Sequence, residues 1–564
     1  MKKDTTFTIS FLTALSVGFL LRIYLLKDQV FADDEWHGLY YVIDKSPGWL
    51  LCHFSIPGAT CIPLNFYTWA LGASVGWSEI GLRLPSLICG LLCLLISPLL
   101  VKNIIGSHRT AWFALLLAIC PLLIFYSRIC RPYSAVAFLG FAAILFAARW
   151  SRDNDHKSAV LFVLTGTLAV YFHLFAIVTV AAPVLVAFVY HWMMRRRKMP
   201  EPVPSLKQWA IVALIIALAS AILLLPALIQ SLRSTFFTIA LKGTIDLQSL
   251  PRAAMLISGT GQPILAALFW MALVIGAVEQ CRRESRFGGM LISLYPLHAL
   301  AFVLSRPDSA QSAVVLVRYS IPLVPVSLLL VACGIQTVLE LIRSRITLRP
   351  TSEKFIAIAF IAALGLTGPL PQCYIAPNNF TSHGAFQHSY GRIDWNRSFH
   401  SDFIPADFPL NTVIRSEEVS PFYLMVKNTR GRPIVEYPML IGDHFDPLYY
   451  YQHFHRRPVL IGYTRDTFLQ QSLGAGNIFG NTYVDQVLTL INPSRIHFRN
   501  MVSMDNLDAM RARKVEFIVL HKHFEAQLSY VAPLPPDLNR LYHKYCDILG
   551  APVYENANLV AFRL

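Results

Sequence analysis

The chain has 564 residues, of which 55% are hydrophobic and only 14% are charged, and its mean hydropathy is +0.50. Because soluble proteins carry about 25% charged residues, a single soluble enzyme is excluded. The net charge of +15 does not predict nucleic-acid binding, since Lys and Arg cluster in short loops between apolar stretches and follow the rules of membrane orientation there. We therefore expect a membrane protein with membrane lipid, and no nucleic acid, as a partner.

Apolar stretches recur along the chain, each close to the roughly 20 residues that a helix needs to cross a bilayer. About eleven spans are predicted, over residues 5–26, 84–101, 110–127, 132–148, a pair within 158–192, 208–230, 263–280, 287–304, 319–342 and 355–373. Both flanks of the 158–192 stretch are basic, so parity requires two crossings with a turn near His173. The first span follows Lys2 and Lys3 and is expected to stay uncleaved.

The basic loops alternate along the chain and are predicted to be cytoplasmic by the positive-inside rule. An odd number of spans then places the N-terminus in the cytoplasm and everything after the last span outside. Residues 27–83 form the predicted first outer loop of a membrane domain over 1–376. Residues 377–564 form a predicted extracytoplasmic domain, in which the β-rich runs 459–463, 515–520 and 558–562 alternate with helix-like stretches, as in an α/β fold.

An acidic cluster follows the outer end of the first span: Asp33, Asp34 and Glu35, with His37 close behind. Three adjacent carboxylates repel one another, which favours the protonated form of one of them and suits either a general base or a cation ligand. The alternative is an acidic loop that is simply solvated.

Four arginines lie near the predicted outer edge of the membrane: Arg83, Arg128, Arg131 and Arg318. The positive-inside rule disfavours them there, so a partner is expected to retain them, and phosphate is the natural partner of a guanidinium fork. The alternatives are that they reach lipid headgroups or pair with the acidic loop. His173 either caps its helical hairpin or binds a substrate hydroxyl or phosphate.

The ten cysteines form no zinc-binding pattern. Cys52 and Cys61 share the first outer loop, and Cys373 and Cys546 share the outer side, so either pair is compatible with a disulfide in an oxidising compartment. Spacing in the sequence does not fix the geometry of either pair.

These features together resemble the GT-C class of polyprenyl-phosphate-dependent glycosyltransferases, most closely the bacterial branch related to protein O-mannosyltransferases and lipid A aminoarabinose transferases. Five motifs in the family's order carry the resemblance: Asp34-Glu35, Ser78-Glu79 through Arg83-Leu84-Pro85-Ser86, Arg131-Pro132-Tyr133, Arg318-Tyr319 with Pro322 and Pro325, and Leu549-Gly550-Ala551-Pro552-Val553-Tyr554. One departure is Cys61-Ile62-Pro63-Leu64, where many relatives have His-Pro-Pro-Leu. It puts in doubt the acceptor contact made by that histidine.

The resemblance implies a multi-pass enzyme of the bacterial cytoplasmic (inner) membrane that moves a sugar from a polyprenyl-phosphate donor to an acceptor hydroxyl on the outer face. The acceptor is a glycolipid, a polysaccharide or a protein. Asp34 is the expected base, Glu35 its partner, and Asp33, His37 and His173 are expected substrate contacts. The expected phosphate site consists of Arg83, Arg128, Arg131, Tyr133, Arg318 and Tyr319.

In-line displacement at such a site inverts the anomeric centre. A divalent cation, Mg²⁺ or Mn²⁺, held by Asp34 and Glu35 is compatible with the resemblance, which does not decide whether one is needed. Two other classes remain as alternatives at this point: a secondary transporter or lipid-carrier flippase, and a membrane-anchored binding protein. The charges gather at one surface and no internal duplication is visible, which favours the enzyme over the transporter.

Overall fold

The structure is a computed structural model of the full chain. It describes residues 5–24, 26, 35, 38–39, 42, 45–53, 61–200, 203–232, 247, 249–306, 313–345, 350–368, 370–371, 419–428, 431–437, 454–457, 507–512, 514–522 and 538–564. Asp33, Asp34, His37 and Cys373, which the sequence singled out, lie outside these residues.

Helices make up the described part of the chain as far as residue 371. They are α1 (Thr5–Ile23), α2 (Pro47–Cys52), α3 (Ile62–Ser74), α4 (Glu79–Ile105), α5 (Ser107–Ile119), α6 (Pro121–Ser127), α7 (Tyr133–Asp153), α8 (His156–Phe172), α9 (Ile177–Arg196), α10 (Leu206–Leu232), α11 (Ser249–Ser258), α12 (Pro263–Arg283), α13 (Ser285–Ser305), α14 (Ala313–Tyr319), α15 (Leu323–Arg345) and α16 (Pro350–Leu366).

Seven helices among the described residues are long and apolar enough to cross a membrane: α4, α7, α9 with the turn before it, α10, α12, α13 and α15. The pair α5 and α6 passes the same test as one broken span with a bend of 56°. Three shorter apolar helices lie within α1, α8 and α16. These apolar helices lie where the sequence predicts about eleven spans, and seven of them, or eight with the bent pair, are long and apolar enough to cross a membrane.

The bend between α5 and α6 has a definite chemical cause. Cys120 is extended, and Pro121, the first residue of α6, has no N–H to give to the carbonyl of Leu117 four residues earlier. Arg22 of α1 supplies the missing donors, with Nη2 3.2 Å from the Leu117 oxygen and Nη1 3.3 Å from the Ala118 oxygen. Gly18 permits this approach, because a Cβ there would meet the Ala118 backbone at 3.1 Å. The sequence predicted one span over 110–127, and the structure has this span as two helices that meet at the bend.

The stretch predicted to cross twice does form two helices. Asp155 caps the start of α8 by accepting hydrogen bonds from the backbone N–H groups of Lys157 and Ser158. His173 ends α8 in an extended conformation and begins the short 3₁₀ turn Leu174–Ala176 that leads into α9. The hairpin turn therefore lies at the residue near which it was predicted.

The basic loops meet at one end of the bundle. Arg152, in the last turn of α7, donates to the Asn103 carbonyl near the end of α4 at 3.3 Å. Arg286, at the start of α13, donates to the Ser151 carbonyl of α7 at 2.8 Å. Since α4 runs from Glu79 to Ile105, the start of α4 lies at the opposite end of the bundle, about 40 Å away for 27 residues of helix.

The described residues beyond 418 include a small mixed sheet. Its elements are α17 (Pro421–Met425), β1 (Ile434–Tyr437), α18 (Leu507–Ala512), β2 (Phe517–His521), α19 (Leu538–Leu549), β3 (Tyr554–Glu555) and β4 (Leu559–Arg563). The strand order is β1-β2-β4-β3, with β1 and β2 parallel and the other two pairings antiparallel. The predicted runs 515–520 and 558–562 correspond to β2 and β4, and the run 459–463 lies outside the described residues.

Candidate functional site

Glu35 is the member of the acidic cluster that the structure describes, and it is held by three hydrogen bonds. Arg83 of α4 forms a bidentate pair with it, with Nε 2.8 Å from Oε1 and Nη2 2.7 Å from Oε2. The backbone N–H of Cys130 donates to the same Oε1 at 2.8 Å. Both side chains of the ion pair are essentially inaccessible to solvent. Of the partners considered for Arg83 from the sequence, the structure therefore shows pairing with the acidic cluster, through Glu35.

The turn between α6 and α7 joins this ion pair to the next two predicted arginines. Cys130 lies between Ile129 and Arg131 in that turn, so the N–H that binds Glu35 comes from the residue directly before Arg131. Ser86 of α4, one turn beyond Arg83, donates its hydroxyl to the Arg131 carbonyl at 2.8 Å. One helix thus anchors both the acidic loop and the cationic turn.

Arg128 is fully buried and is also bound to a helix end. Its Nη1 donates to the Leu21 carbonyl in the last turn of α1 at 3.1 Å. The carbonyls at a helix C-terminus lack intrahelical donors and carry partial negative charge, so a guanidinium is stabilised there. Arg22 and Arg128 therefore share a role that the sequence did not predict: they join the end of α1 to the broken span.

The two remaining arginines lie beside the tyrosines that follow them in the motifs. The guanidinium carbon of Arg131 is 5.9 Å from the centre of the Tyr133 ring, and that of Arg318 is 5.7 Å from the Tyr319 ring. His173 lies between these tyrosines, with ring centres 5.9 Å from Tyr133 and 5.1 Å from Tyr319. Residues from α7, the α8–α9 turn and α14 therefore converge on one buried cluster, which we call the His173 cluster.

The protonation state of His173 follows from this position. Burial, together with the positive charges of Arg131 and Arg318, lowers the pKa of His173 from 6.5 to about 3. Its Nδ1 accepts a hydrogen bond from the Phe175 N–H at 3.3 Å, so in the neutral ring the proton is on Nε2. Near neutral pH, His173 is an uncharged hydrogen-bond donor among cationic groups.

The predicted site residues fall into three groups. The first group lies in or next to the contacts that hold Glu35 and the α6–α7 turn: Glu35, Arg83 and Arg128. The second group forms or borders the His173 cluster: Arg131, Tyr133, His173, Arg318 and Tyr319. Asp33, Asp34 and His37 lie outside the described residues. Cys52, Cys61 and Cys546 are free thiols in the structure, so the disulfide between Cys52 and Cys61 does not form.

Two contacts escaped the sequence analysis. The Cys130 N–H that binds Glu35 is a backbone group, which no pattern of side chains identifies. Glu79 belongs to the motif that begins at Ser78, but its partner Arg456 is 377 residues away, and no local sequence pattern connects the two residues. The 2.6 Å bond between their side chains links the C-terminal region to the start of α4.

A metal site is not apparent among the described residues, in which no group of three His, Cys, Asp or Glu side chains is close enough to hold an ion. Both Glu35 oxygens already accept hydrogen bonds from Arg83. To coordinate a cation, Glu35 would have to give up this partner. Its chemistry fits an anchoring carboxylate better than a metal ligand.

Comparisons with known proteins agree with this architecture. Residues 61–223 match the family model of dolichyl-phosphate-mannose-protein mannosyltransferase, and no curated protein sequence matches the chain. Among solved structures, ArnT from Cupriavidus metallidurans bound to undecaprenyl phosphate is 14% identical with a TM-score of 0.52, and its apo state is 15% identical with a TM-score of 0.51. Both likenesses cover 99% of this chain and 98% of the other.

A looser likeness, with a TM-score of 0.47 and 13% identity, is to the archaeal oligosaccharyltransferase AglB from Archaeoglobus fulgidus in complex with an inhibitory peptide and a dolichol-phosphate. It covers 92% of this chain and 70% of AglB. The ArnT likeness confirms the predicted fold class, a polytopic helical membrane protein with a small C-terminal sheet region. The match of residues 61–223 to the mannosyltransferase family model agrees, over that part of the chain, with the resemblance to membrane glycosyltransferases expected from the sequence.

Proposed function

We propose that this chain transfers a sugar from a polyprenyl-phosphate donor to an acceptor hydroxyl, at a site between the Asp34-Glu35 loop and the His173 cluster. The observation that carries the proposal is the hydrogen bond from the Cys130 N–H to Glu35. It connects the residue after Asp34 to the residue before Arg131. A carboxylate base and a cationic phosphate site must be neighbours for this reaction, and this bond makes their two segments neighbours.

The donor phosphate is assigned to Arg131, Arg318 and His173. A guanidinium binds phosphate oxygens through paired, charge-assisted hydrogen bonds, and its charge persists at any working pH. The neutral His173 adds an Nε2–H donor without competing for a proton. As the bond between the sugar C1 and the phosphate oxygen breaks, negative charge grows on the departing polyprenyl phosphate, and these preorganised groups stabilise it.

Asp34 is assigned as the general base. It takes the proton of the acceptor hydroxyl while that oxygen forms its bond to C1, and attack opposite the leaving phosphate inverts the anomeric centre. Glu35 and Arg83 form the anchor that holds this loop. Their net charge is zero and both are buried, so the pair fixes the position of Glu35, and the proposal leaves the reacting proton to Asp34.

A divalent cation has no assigned step in this mechanism. The phosphate is already a good leaving group, and two arginines neutralise the charge that it develops. If Mg²⁺ or Mn²⁺ binds, Asp34 is its natural ligand, because the Glu35 oxygens are occupied by Arg83 and Cys130.

The proposed location is the bacterial cytoplasmic membrane, with the site on the outer face and the basic loops in the cytoplasm. Nucleotide sugars and ATP are cytoplasmic, so an outer site needs an activated donor that the membrane itself carries. A lipid-linked sugar meets this need. The proposed acceptor is a glycolipid, a polysaccharide or a protein with a hydroxyl group at that face.

The test compares the envelope of cells that contain the wild-type chain, no chain, or the Asp34→Asn variant. Mass spectrometry of extracted glycolipids, polysaccharides and proteins should find a sugar modification with the wild type only. The purified chain should then consume polyprenyl-phosphate sugar and release polyprenyl phosphate. Uptake of a solute or lipid into vesicles without any transfer product would overturn the proposal in favour of a transporter.

A further inference from the structure

The C-terminal region contacts the membrane domain at the helix that anchors the acidic loop. Arg456 Nη1 lies 2.6 Å from Glu79 Oε1, and the two side chains are only 17% and 9% exposed. Exposed ion pairs contribute little to stability, but a pair that is largely removed from water is screened less and costs more to break. Removing either partner of this contact is therefore expected to cost more than removing one partner of an exposed pair.

The segment around Arg456 is fixed to the small sheet on both sides. Phe454 is buried among apolar residues of the sheet region, and the His455 carbonyl accepts a hydrogen bond from the Asn428 N–H at 2.9 Å. Arg457 forms an ion pair with Glu516, which directly precedes β2, at 2.7 Å. Arg456 itself has φ of +58°, a conformation that costs a non-glycine residue energy and is retained where the surroundings require it.

The segment around Glu79 is fixed equally well. Ser78 caps α4 by accepting a hydrogen bond from the Gly81 N–H, which makes Glu79 the first residue of the helix. Tyr67 of α3 donates to the Gly81 carbonyl at 2.7 Å, so the first-loop helix is tied to the same turn. Glu79 and Arg83 are four residues apart, hence on one face of α4. Arg83 in turn holds Glu35.

We propose that Arg456 is a positioning residue for sugar transfer, through which the C-terminal region holds the start of α4, and with it the Arg83–Glu35 anchor, in the reactive arrangement. This inference rests on the proposed function. It adds a role for the C-terminal region, which would hold the geometry of a site formed by other residues. The proposal assigns Arg456 no contact with the donor or the acceptor.

The experiment uses the full-length protein in detergent or nanodiscs. Arg456→Gln and Glu79→Gln should each lower kcat about tenfold or more, since a displacement of about 1 Å can cost about 100-fold in rate. The KM for polyprenyl-phosphate sugar should stay within about twofold, because the His173 cluster is intact. The double variant should be no slower than either single one, and Arg456→Lys should recover most of the activity.

A second readout does not depend on activity. Hydrogen exchange of peptides that contain Glu35 should be faster in Arg456→Gln than in the wild type. The matched control is Arg511→Gln, which removes an exposed ion pair with Asp508 in the same region and should change neither kcat nor exchange.

Each outcome of these experiments either supports or overturns the positioning role of Arg456. An unchanged kcat in Arg456→Gln, alongside an active wild type, overturns the positioning role whatever the exchange shows, and so do additive losses in the double variant. If the wild type transfers no sugar at all, the proposed function fails. The exchange rates alone then decide whether Arg456 holds the segment that contains Glu35 in place.

Discussion

Glu35 and Arg83 form a bidentate ion pair across 48 residues of sequence, and neither side chain is accessible to solvent beyond 2%. Their charges cancel, and the Cys130 N–H adds a third hydrogen bond to the carboxylate. The pair divides the acidic motif into two parts. Glu35 is bound to Arg83 and Cys130, and the proposed mechanism assigns the reacting proton to its neighbour Asp34.

The first prediction concerns the stability of this pair. Glu35→Gln removes the carboxylate that pairs with the buried Arg83 guanidinium, and breaking a buried pair on one side typically costs about 3–5 kcal/mol. The unfolding temperature of the purified variant should therefore fall well below that of the wild type. Asp153→Asn, which disrupts a part-exposed pair with Arg152, should change it little. Equal unfolding temperatures for Glu35→Gln and the wild type would show that the pair has no anchoring role.

The second prediction separates Asp34 from Glu35. Asp34→Asn removes the proton acceptor but not the anchor, so the protein should insert and unfold like the wild type. Its transfer rate should fall about 100- to 10,000-fold, the usual contribution of a general base. Product formation by the purified variant measures this, and transfer at the wild-type rate would exclude Asp34 as the base.

The third prediction concerns the donor phosphate. Arg131→Ala and Arg318→Ala should each weaken binding of undecaprenyl phosphate about tenfold or more, since a hydrogen bond to a charged group contributes about 1.5–3 kcal/mol. Titration of the purified protein measures this affinity. Arg152→Ala, at the opposite end of the bundle, serves as the control. A donor affinity that Arg131→Ala leaves intact would remove that residue from the phosphate site.

The fourth prediction follows from the pKa of His173. Because the folded pKa is about 3 and the ordinary value is 6.5, the unfolded chain binds a proton that the folded chain does not. His173 therefore makes the folded state progressively less stable as pH falls below about 6.5. Between pH 7.5 and 5, the wild type should lose more stability than His173→Gln. An identical loss in the two proteins would indicate that His173 is not held neutral.

The sequence was sufficient for features that depend on local composition. The apolar runs predicted the helices, and the basic flanks of 158–192 placed the hairpin turn near His173, because charge and hydropathy act within one segment. The bend at Cys120-Pro121 was not predicted, since prolines are tolerated inside membrane helices when neighbouring groups satisfy the freed carbonyls.

Contacts between residues far apart in the chain could not be predicted from the sequence. The sequence pointed to Glu35 as part of the acidic cluster and to Arg83 as one of the arginines at the outer membrane edge. Only the folded chain shows that the two side chains pair. Arg456 carried no signal, because one arginine among 48 basic residues is unremarkable until its position beside Glu79 is known. Asp34, the base that the family resemblance implies, lies outside the described residues and remains a prediction.

The contacts of Arg22 bear on how the protein is made. This side chain donates to carbonyls 95 and 96 residues further along the chain, so none of these acceptors exists when the ribosome releases the first apolar segment. Within its own helix Arg22 Nη1 donates to the Gly18 carbonyl at 2.9 Å, but a guanidinium near lipid is unfavourable until its other N–H groups are also satisfied. Arg22 therefore gains its long-range acceptors only after the broken span has been made, which couples the packing of α1 in the bundle to the synthesis of residues 117 and 118.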